Sequence, residues 1–412
     1  MPTIPRRPAR YDKKVALVLQ GGGALGSYQA GVYAALARSS YLPDWVAGIS
    51  IGAINAALIA GNPPEKRVDR LKTFWERITA PPALWPLWAD ETMATFVGGR
   101  RGIGAMNALM FGQPGFFRPR SAAEWVAGAH PTSFYDTSTL KRTLEELIDF
   151  DRINAGEMRF SIGAVNVGTG NFVTFDNANI AIRPEHVMAS GALPPGFPAV
   201  EIDGKHYWDG GLVLNTPSHH VLTAVPRRSR ITFQVDLFPA RGPLPSSLED
   251  VAERAKDIRY SSRTRTVTNM LRQMHDVRHN VNSLLEKLPA TLRELPEAKF
   301  LHEFGCVTTM DLVQLIYRPE RPQGPTKDIE FSRSTMEERW AQGLSDATTT
   351  LIASPWLAPA PPEVGLRTFD VLAGDVNPTK PPMRDNDRAG LEGNESAVGT
   401  SRASPRSSPT PT

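Results

Sequence analysis

The chain has a single cysteine, Cys306, in 412 residues. An intramolecular disulfide is therefore impossible, and a cysteine-based metal centre is not expected. No apolar run reaches the roughly 18 residues that a membrane-spanning helix needs. A secretory leader is not expected either: residues 1–14 carry Arg6, Arg7, Arg10, Lys13 and Lys14 without an apolar core. The chain reads as cytoplasmic, with contact at a membrane surface left open. Charge of one sign is also lacking. Lys and Arg number 46 and Asp and Glu 43, a net +3 that gives no reason to expect a nucleic-acid partner. What it has in excess is proline, 36 residues, well above the usual ~5%. These prolines gather in the N-terminal arm, in 81–131, in 194–198, in the connections 239–245 and 319–325, and beyond 354. Predicted core elements are left largely free of them.

The hydrophobic pattern is that of an α/β protein. Val15–Leu19 is a continuous apolar run that ends just before a run of glycines, as in a strand buried on both faces. A glycine cluster follows, then a buried helix over Ser27–Arg38. Trp45–Ile49 is a second short strand, and Ile51–Ala60 an alanine-rich buried helix. This β-loop-α-β-turn-α order opens a doubly wound fold. Further strands are expected at Arg159–Asn166, Phe172–Phe175, Ile231–Phe238 and Asp311–Arg318. Glu185–Ser190 is a short helix and Ser334–Ala353 a closing one. Val200–Ile202 and His206–Trp208 flank Asp203-Gly204, a hairpin signal.

Three segments stand apart. Residues 80–135 hold Trp85, Trp88, Phe96, Phe111, Phe116 and Phe117 among many glycines and prolines. They read as an inserted set of short helices and loops, either an acyl-chain pocket or lid or packing over the sheet edge. About 248–293 is a long helical stretch with Val267, Leu271, Met274, Val281, Leu285 and Leu288 at helical spacing. Within 254–293 nine Lys/Arg face three Asp/Glu. Such a stretch suits an anionic membrane surface, or simply packs on the domain with a solvated basic face. The Pro/Ser-rich tail has too little apolar surface to offset its ordering entropy. The expected division is a flexible basic arm over 1–13 and a catalytic domain over 14–240. A helical extension with one late strand covers 241–355, packed on that domain, and a largely disordered tail covers 356–412.

Chemistry concentrates in three glycine-marked sites. Gly48-Ile-Ser50-Ile-Gly52 is a G-x-S-x-G pentapeptide between a strand and a buried helix. A nucleophilic serine on so sharp a turn needs small neighbours two residues away on each side. The following helix also directs its positive end at Ser50. Gly21-Gly22-Gly23-Ala24-Leu25-Gly26 follows the first strand. Gly21, Gly23 and Gly26 match the dinucleotide fingerprint, but the acidic residue it requires has only one candidate, Asp44, which precedes the second strand. Consecutive glycine amides also suit an oxyanion hole, and only that reading accounts for both glycine clusters. Asp209-Gly210-Gly211, with Asn215-Thr216-Pro217 close behind, places a carboxylate on an open loop. It is suited to take the Ser50 proton directly or to orient a histidine that does.

These motifs in this order, with Ala189-Ser-Gly-Ala-Leu-Pro-Pro-Gly-Phe-Pro198 leading to Asp209, resemble the patatin-like phospholipase family. The resemblance covers about 14–240 well and 250–355 more loosely. It implies a three-layer α/β/α fold on a mainly parallel sheet, with a helical insertion and a helical C-terminal extension. It implies a Ser-Asp dyad acyl hydrolase of lipid esters, phospholipase A- or lysophospholipase-like, needing no metal or organic cofactor. By position, Ser50 is the nucleophile and Asp209 the general base. Gly21, Gly22, Gly23 and Gly26 form the oxyanion loop, Gly48 and Gly52 the elbow, and Gly210 and Gly211 the aspartate loop. Many relatives carry Arg or Lys where this chain has Leu25, so a side chain suited to a lipid phosphate is missing there.

Three alternatives remain at this level. A dinucleotide-binding oxidoreductase would use Gly21, Gly23 and Gly26. A non-catalytic lipid-binding or scaffold protein would keep the same fold. A Ser-His-Asp enzyme would draw on His219, His220, His275, His279 or His302, but its elbow would come unusually early in the sheet.

Overall fold

Alternation along the strands builds the layers of this protein. The structure is a computed structural model that describes residues 3–80, 100–126, 131–361 and 363–374. Its strands are β1 (Lys14–Leu19), β2 (Trp45–Gly48), β3 (Arg118–Pro119), β4 (Tyr135–Asp136), β5 (Arg159–Asn166), β6 (Phe172–Asp176), β7 (Val200–Ile202), β8 (Lys205–Asp209), β9 (Arg230–Asp236), β10 (Met310–Ile316) and β11 (Leu366–Phe369). Val15, Leu17 and Leu19 of β1 point into one core with α1 (Ser27–Leu36) and α2 (Ile51–Ala60). Ala16 and Val18, one residue out of phase, face the opposite side under Val221. On that second side Leu222 and Leu271 cover Met310, Leu312 and Leu366. Helices therefore cover both faces, giving the three-layer α/β/α architecture.

The main sheet runs β11-β10-β9-β1-β2-β5-β8-β7, with β6 also paired to β5. From β11 to β5 all pairs are parallel. The β5–β6, β5–β8 and β7–β8 pairs are antiparallel. Asp203 and Gly204 both adopt positive φ, 50° and 74°, as the tight turn between β7 and β8 requires.

One register decision positions the site. Along one edge, β5 pairs with β2 from Arg159↔Trp45 to Ile162↔Gly48. Its other edge is taken by β6 over Ser161–Val165. When β8 pairs at Ala164↔Asp209 and Val165↔Trp208, it must use the edge that β2 has just left. The ends of β2 and β8 thus meet along one strand edge.

Two boundaries need correction. The arm over 1–13 is tied down where it is described: the Tyr11 hydroxyl and Lys13 each bond Asp311 at 2.7 Å, and the Arg7 guanidinium donates to the Lys13 carbonyl. The boundary at 356 falls inside the folded body. Leu366–Phe369 extends the sheet as a parallel partner of β10, and the Arg367 guanidinium bonds the buried Asp311 carboxylate at 2.7 Å. A four-residue edge strand gives too short a pattern to read among neighbouring prolines. Residues 375–412 lie outside the described residues, as do Trp85, Trp88 and Phe96.

The long helical stretch forms Leu248–Lys287 and a short helix Ala290–Arg293, broken at Pro289. Leu271 and Leu285 are buried, and Val267 and Met274 pack beneath. Several of its cations bond the body: Arg254 donates to the Pro239 carbonyl and Lys256 to Asp328. The stretch packs on the domain along its apolar stripe.

Candidate active site

Ser50 caps α2 with φ 55° and ψ −124°, a conformation that side-chain-bearing residues rarely adopt. The strain is enforced from both sides. A Cβ on Gly48 would overlap the Gly52 carbonyl oxygen, and one on Gly52 would overlap the Leu19 carbonyl oxygen at the end of β1. The Ser50 amide is held by Ser190, whose carbonyl and hydroxyl oxygens both lie at 3.1 Å. The Ser190 hydroxyl in turn donates to the Gly163 carbonyl at 2.6 Å. Gly163 sits on β5 between the residues paired with Gly48 and Asp209, so the elbow is pinned to the strand that organises both.

Asp209 ends β8, is buried, and accepts the Gly211 amide at 2.7 Å. Burial pushes its carboxyl up to about 6, while hydrogen bonds from the Gly211 amide and the Ser50 hydroxyl pull it down. Ser50 and Asp209 line the same cavity, close enough for the serine side chain to act on the carboxyl, with no histidine between them. The same applies to the surrounding cavity, where no histidine is among the lining residues. His220 instead bonds Asp176 at 2.8 Å, His275 the Leu222 carbonyl and His279 the Thr308 carbonyl, while His219 and His302 are exposed.

The glycine loop lies opposite. Asn215 clamps it, its side-chain amide donating to the Gly21 carbonyl at 3.0 Å while its own carbonyl accepts the Gly21 amide at 3.1 Å. The Gly21 amide is therefore occupied. Gly26 packs against Ile51 and Trp75, and its carbonyl accepts from Asn55. Gly22 and Gly23 remain facing the cavity. Gly23 has φ +54°, and a Cβ there would overlap the Asp328 carbonyl oxygen. Leu25 is fully buried in the core. Asp44, the acidic partner a dinucleotide site would need, opens β2 at the other end of the sheet and bonds Arg230 at 2.8 Å.

A buried polar chain supports these loops, and sequence reasoning missed it. Gln20 accepts the Leu237 amide at 2.6 Å and donates to Thr216 at 3.0 Å. Gln29 donates to the Gln20 carbonyl, Asn55 to Gln29, and Trp75 to Asn55, over 2.7–3.0 Å. The only signals are Gln29 and Asn55 within apolar helices and Gln20 between the first strand and the glycine run. Fully satisfied buried networks of this kind fix one loop arrangement.

Ser50 and Asp209 open into a cavity of about 300 Å³. Its far wall is aromatic: Phe117 lies 5.0 Å from Tyr135 and 5.2 Å from Phe197, and Phe116 lies 5.9 Å from Phe331, between ring centroids. Of the inserted aromatics, Phe116 and Phe117 are buried here, whereas Phe111 is exposed. Phe331 comes from a distant segment that the sequence did not connect with the site. Among the described residues, no group of three His, Cys, Asp or Glu side chains is placed to hold a metal, and no helix is long and apolar enough to cross a membrane.

Two family models match this chain. A family model described as Patatin-like phospholipase matches residues 17–222, half of the chain, and one described as Patatin phospholipase matches 258–363. No curated protein matches the sequence. Among solved structures, VipD from Legionella pneumophila is 14% identical with a TM-score of 0.33, covering 89% of this chain and 73% of its own. The ExoU–SpcU complex from the type III secretion system of Pseudomonas aeruginosa is 16% identical with a TM-score of 0.24, covering 72% of this chain and 59% of its own. With its matched family models and its three-layer sheet, this chain belongs to the patatin-like phospholipase family.

Proposed function

We propose that this protein is a serine acyl hydrolase that cleaves fatty-acyl ester bonds of lipids, in the manner of a phospholipase A or lysophospholipase. The observation that carries the reading is the strained Ser50 set beside the buried Asp209 in the lining of one apolar cavity. Ser50 Oγ attacks the acyl carbonyl carbon as its proton passes to the Asp209 carboxylate. The developing oxyanion is met by the amides of Gly22 and Gly23 and by the positive end of α2. Collapse returns the proton to the departing alcohol and leaves the acyl group on Ser50. Water then attacks the acyl-enzyme, again giving its proton to Asp209, which passes it to the departing Ser50 oxygen as the fatty acid leaves. The elevated carboxyl pKa favours proton acceptance near neutral pH.

Peripheral contact between the basic stretch 254–293 and an anionic membrane belongs to the same reading, with Arg265 and Lys287 exposed on it. A fluorophosphonate probe tests the catalytic claim, because it reacts only with an activated serine. Labelling at Ser50 is expected in the natural protein, and none in Ser50→Ala. An unlabelled Ser50 in folded protein sinks the reading in favour of a non-catalytic lipid-binding role.

A further inference from the structure

The helix Arg100–Phe111 is built the wrong way round for a surface helix. Gly104, Ala105 and Ala108 turn inward, and a Cβ on Gly104 would run into the Glu330 carboxylate. Over 104–111 every exposed residue is apolar: Met106, Leu109, Met110 and Phe111, between 41% and 61% exposed. A surface helix normally presents polar residues to water. Here the small side chains make the contact with the body and the large apolar ones face out.

The apolar face is continuous with the cavity mouth. Leu109 lines the cavity, and its carbonyl accepts the Tyr135 hydroxyl at 2.8 Å. Leu193, another lining residue, is exposed nearby, and the neighbouring Phe134 donates its amide to the Pro195 carbonyl at 3.0 Å. Phe134 and Trp125 add an exposed aromatic pair with ring centroids 6.3 Å apart. The charges alongside, Arg118 and Glu124, bond each other at 2.9 Å.

We infer that this face is the docking surface for a lipid aggregate, entering the interfacial region so that the cavity mouth opens directly onto the substrate layer. A lipid surface is the occupant because the face rims the mouth of a cavity in a phospholipase-family fold. Aromatic and aliphatic side chains on a largely uncharged face also match the headgroup–acyl boundary. Binding here is apolar, so it persists at high salt, unlike attraction through the basic stretch. The inference deepens the catalytic reading and rests on it only for the substrate's route, not for binding itself.

Flotation with zwitterionic phosphatidylcholine vesicles tests it in the full chain. Ser50→Ala protein should bind vesicles equally at 0.1 M and about 1 M salt. Adding Met106→Glu and Met110→Glu should weaken binding at least tenfold. In the catalytically intact chain the same pair should cut vesicle hydrolysis at least tenfold. Fluorophosphonate labelling and cleavage of a monomeric short-chain ester should stay at natural levels, which also shows that the variant folds. Undiminished vesicle binding by the glutamate pair overturns the inference. So does a dimer in solution that the pair dissociates while vesicles are ignored. Loss of labelling in the natural protein, with vesicle binding intact, defeats only the catalytic reading.

Discussion

Gly48 and Asp209 pair with the same edge of β5, only two residues apart, at Ile162 and Ala164. One strand runs parallel and stops, and the other arrives antiparallel and stops. Ser50 follows the first end, and Asp209 is the second. The meeting of Ser50 and Asp209 is therefore a product of strand register, not of loop wandering, and rigid elements hold side chains in place better than loops do.

Removing either member of that pair should end the chemistry. Ser50→Ala and Asp209→Asn are each expected to lower hydrolysis of a chromogenic fatty-acyl ester by at least roughly 10³-fold, as when a nucleophile or its base is lost. Circular dichroism should show the fold retained. Full activity in Asp209→Asn would remove the carboxylate from the mechanism.

The pH profile should carry the same carboxyl. With Asp209 pushed up to about 6 by burial, kcat/KM should be low at pH 4.5 and rise to a plateau above about pH 7, following one ionisation. A profile that is flat between pH 4.5 and 8 contradicts the assignment of Asp209 as base.

Stability should run the other way. The folded carboxyl holds its proton more tightly than the unfolded one, whose pKa is about 3.9. Its contribution to stability is therefore full below that value and is lost as pH rises through about 6. At pH 8 Asp209→Asn, which mimics the neutral acid, should be the more stable protein by on the order of 2 kcal/mol. At pH 4.5 the gain should largely vanish. Equal melting shifts at both pH values would show that something other than this charge is responsible.

Asn215 offers a test of loop clamping. Its side chain and backbone both bond Gly21. Asn215→Ala should lower kcat about tenfold or more with KM little changed, because the glycine loop loses its fixed place opposite the dyad. A change in KM alone points instead to a role in substrate binding.

The aromatic wall should set chain length. Replacing Phe331 by Ala opens space beside Phe116 and Phe117. Across a series of esters from short to long acyl chains, the optimum should move to longer chains, and stability should fall by roughly 3 kcal/mol as a cavity forms. An unchanged optimum would place the acyl chain elsewhere.

Local chemistry made much of this legible in the sequence. Glycines at 48 and 52 mark an elbow because nothing larger closes the turn. The run Val15–Leu19 marks a central parallel strand, and Asp203-Gly204 a tight hairpin. Each is decided within a few residues, by sterics or by periodicity. The tertiary structure decided what depends on distant partners. It brought Asp209 to Ser50 across 158 intervening positions through the register on β5. It withdrew the Gly21 amide by pairing it with Asn215, and it enlisted Phe331 in the cavity wall. It also turned the small residues of Arg100–Phe111 inward, leaving the apolar side chains exposed at the mouth. A sequence shows which residues want to be buried. Which of them find a partner, and which are left facing out, depends on how the layers pack.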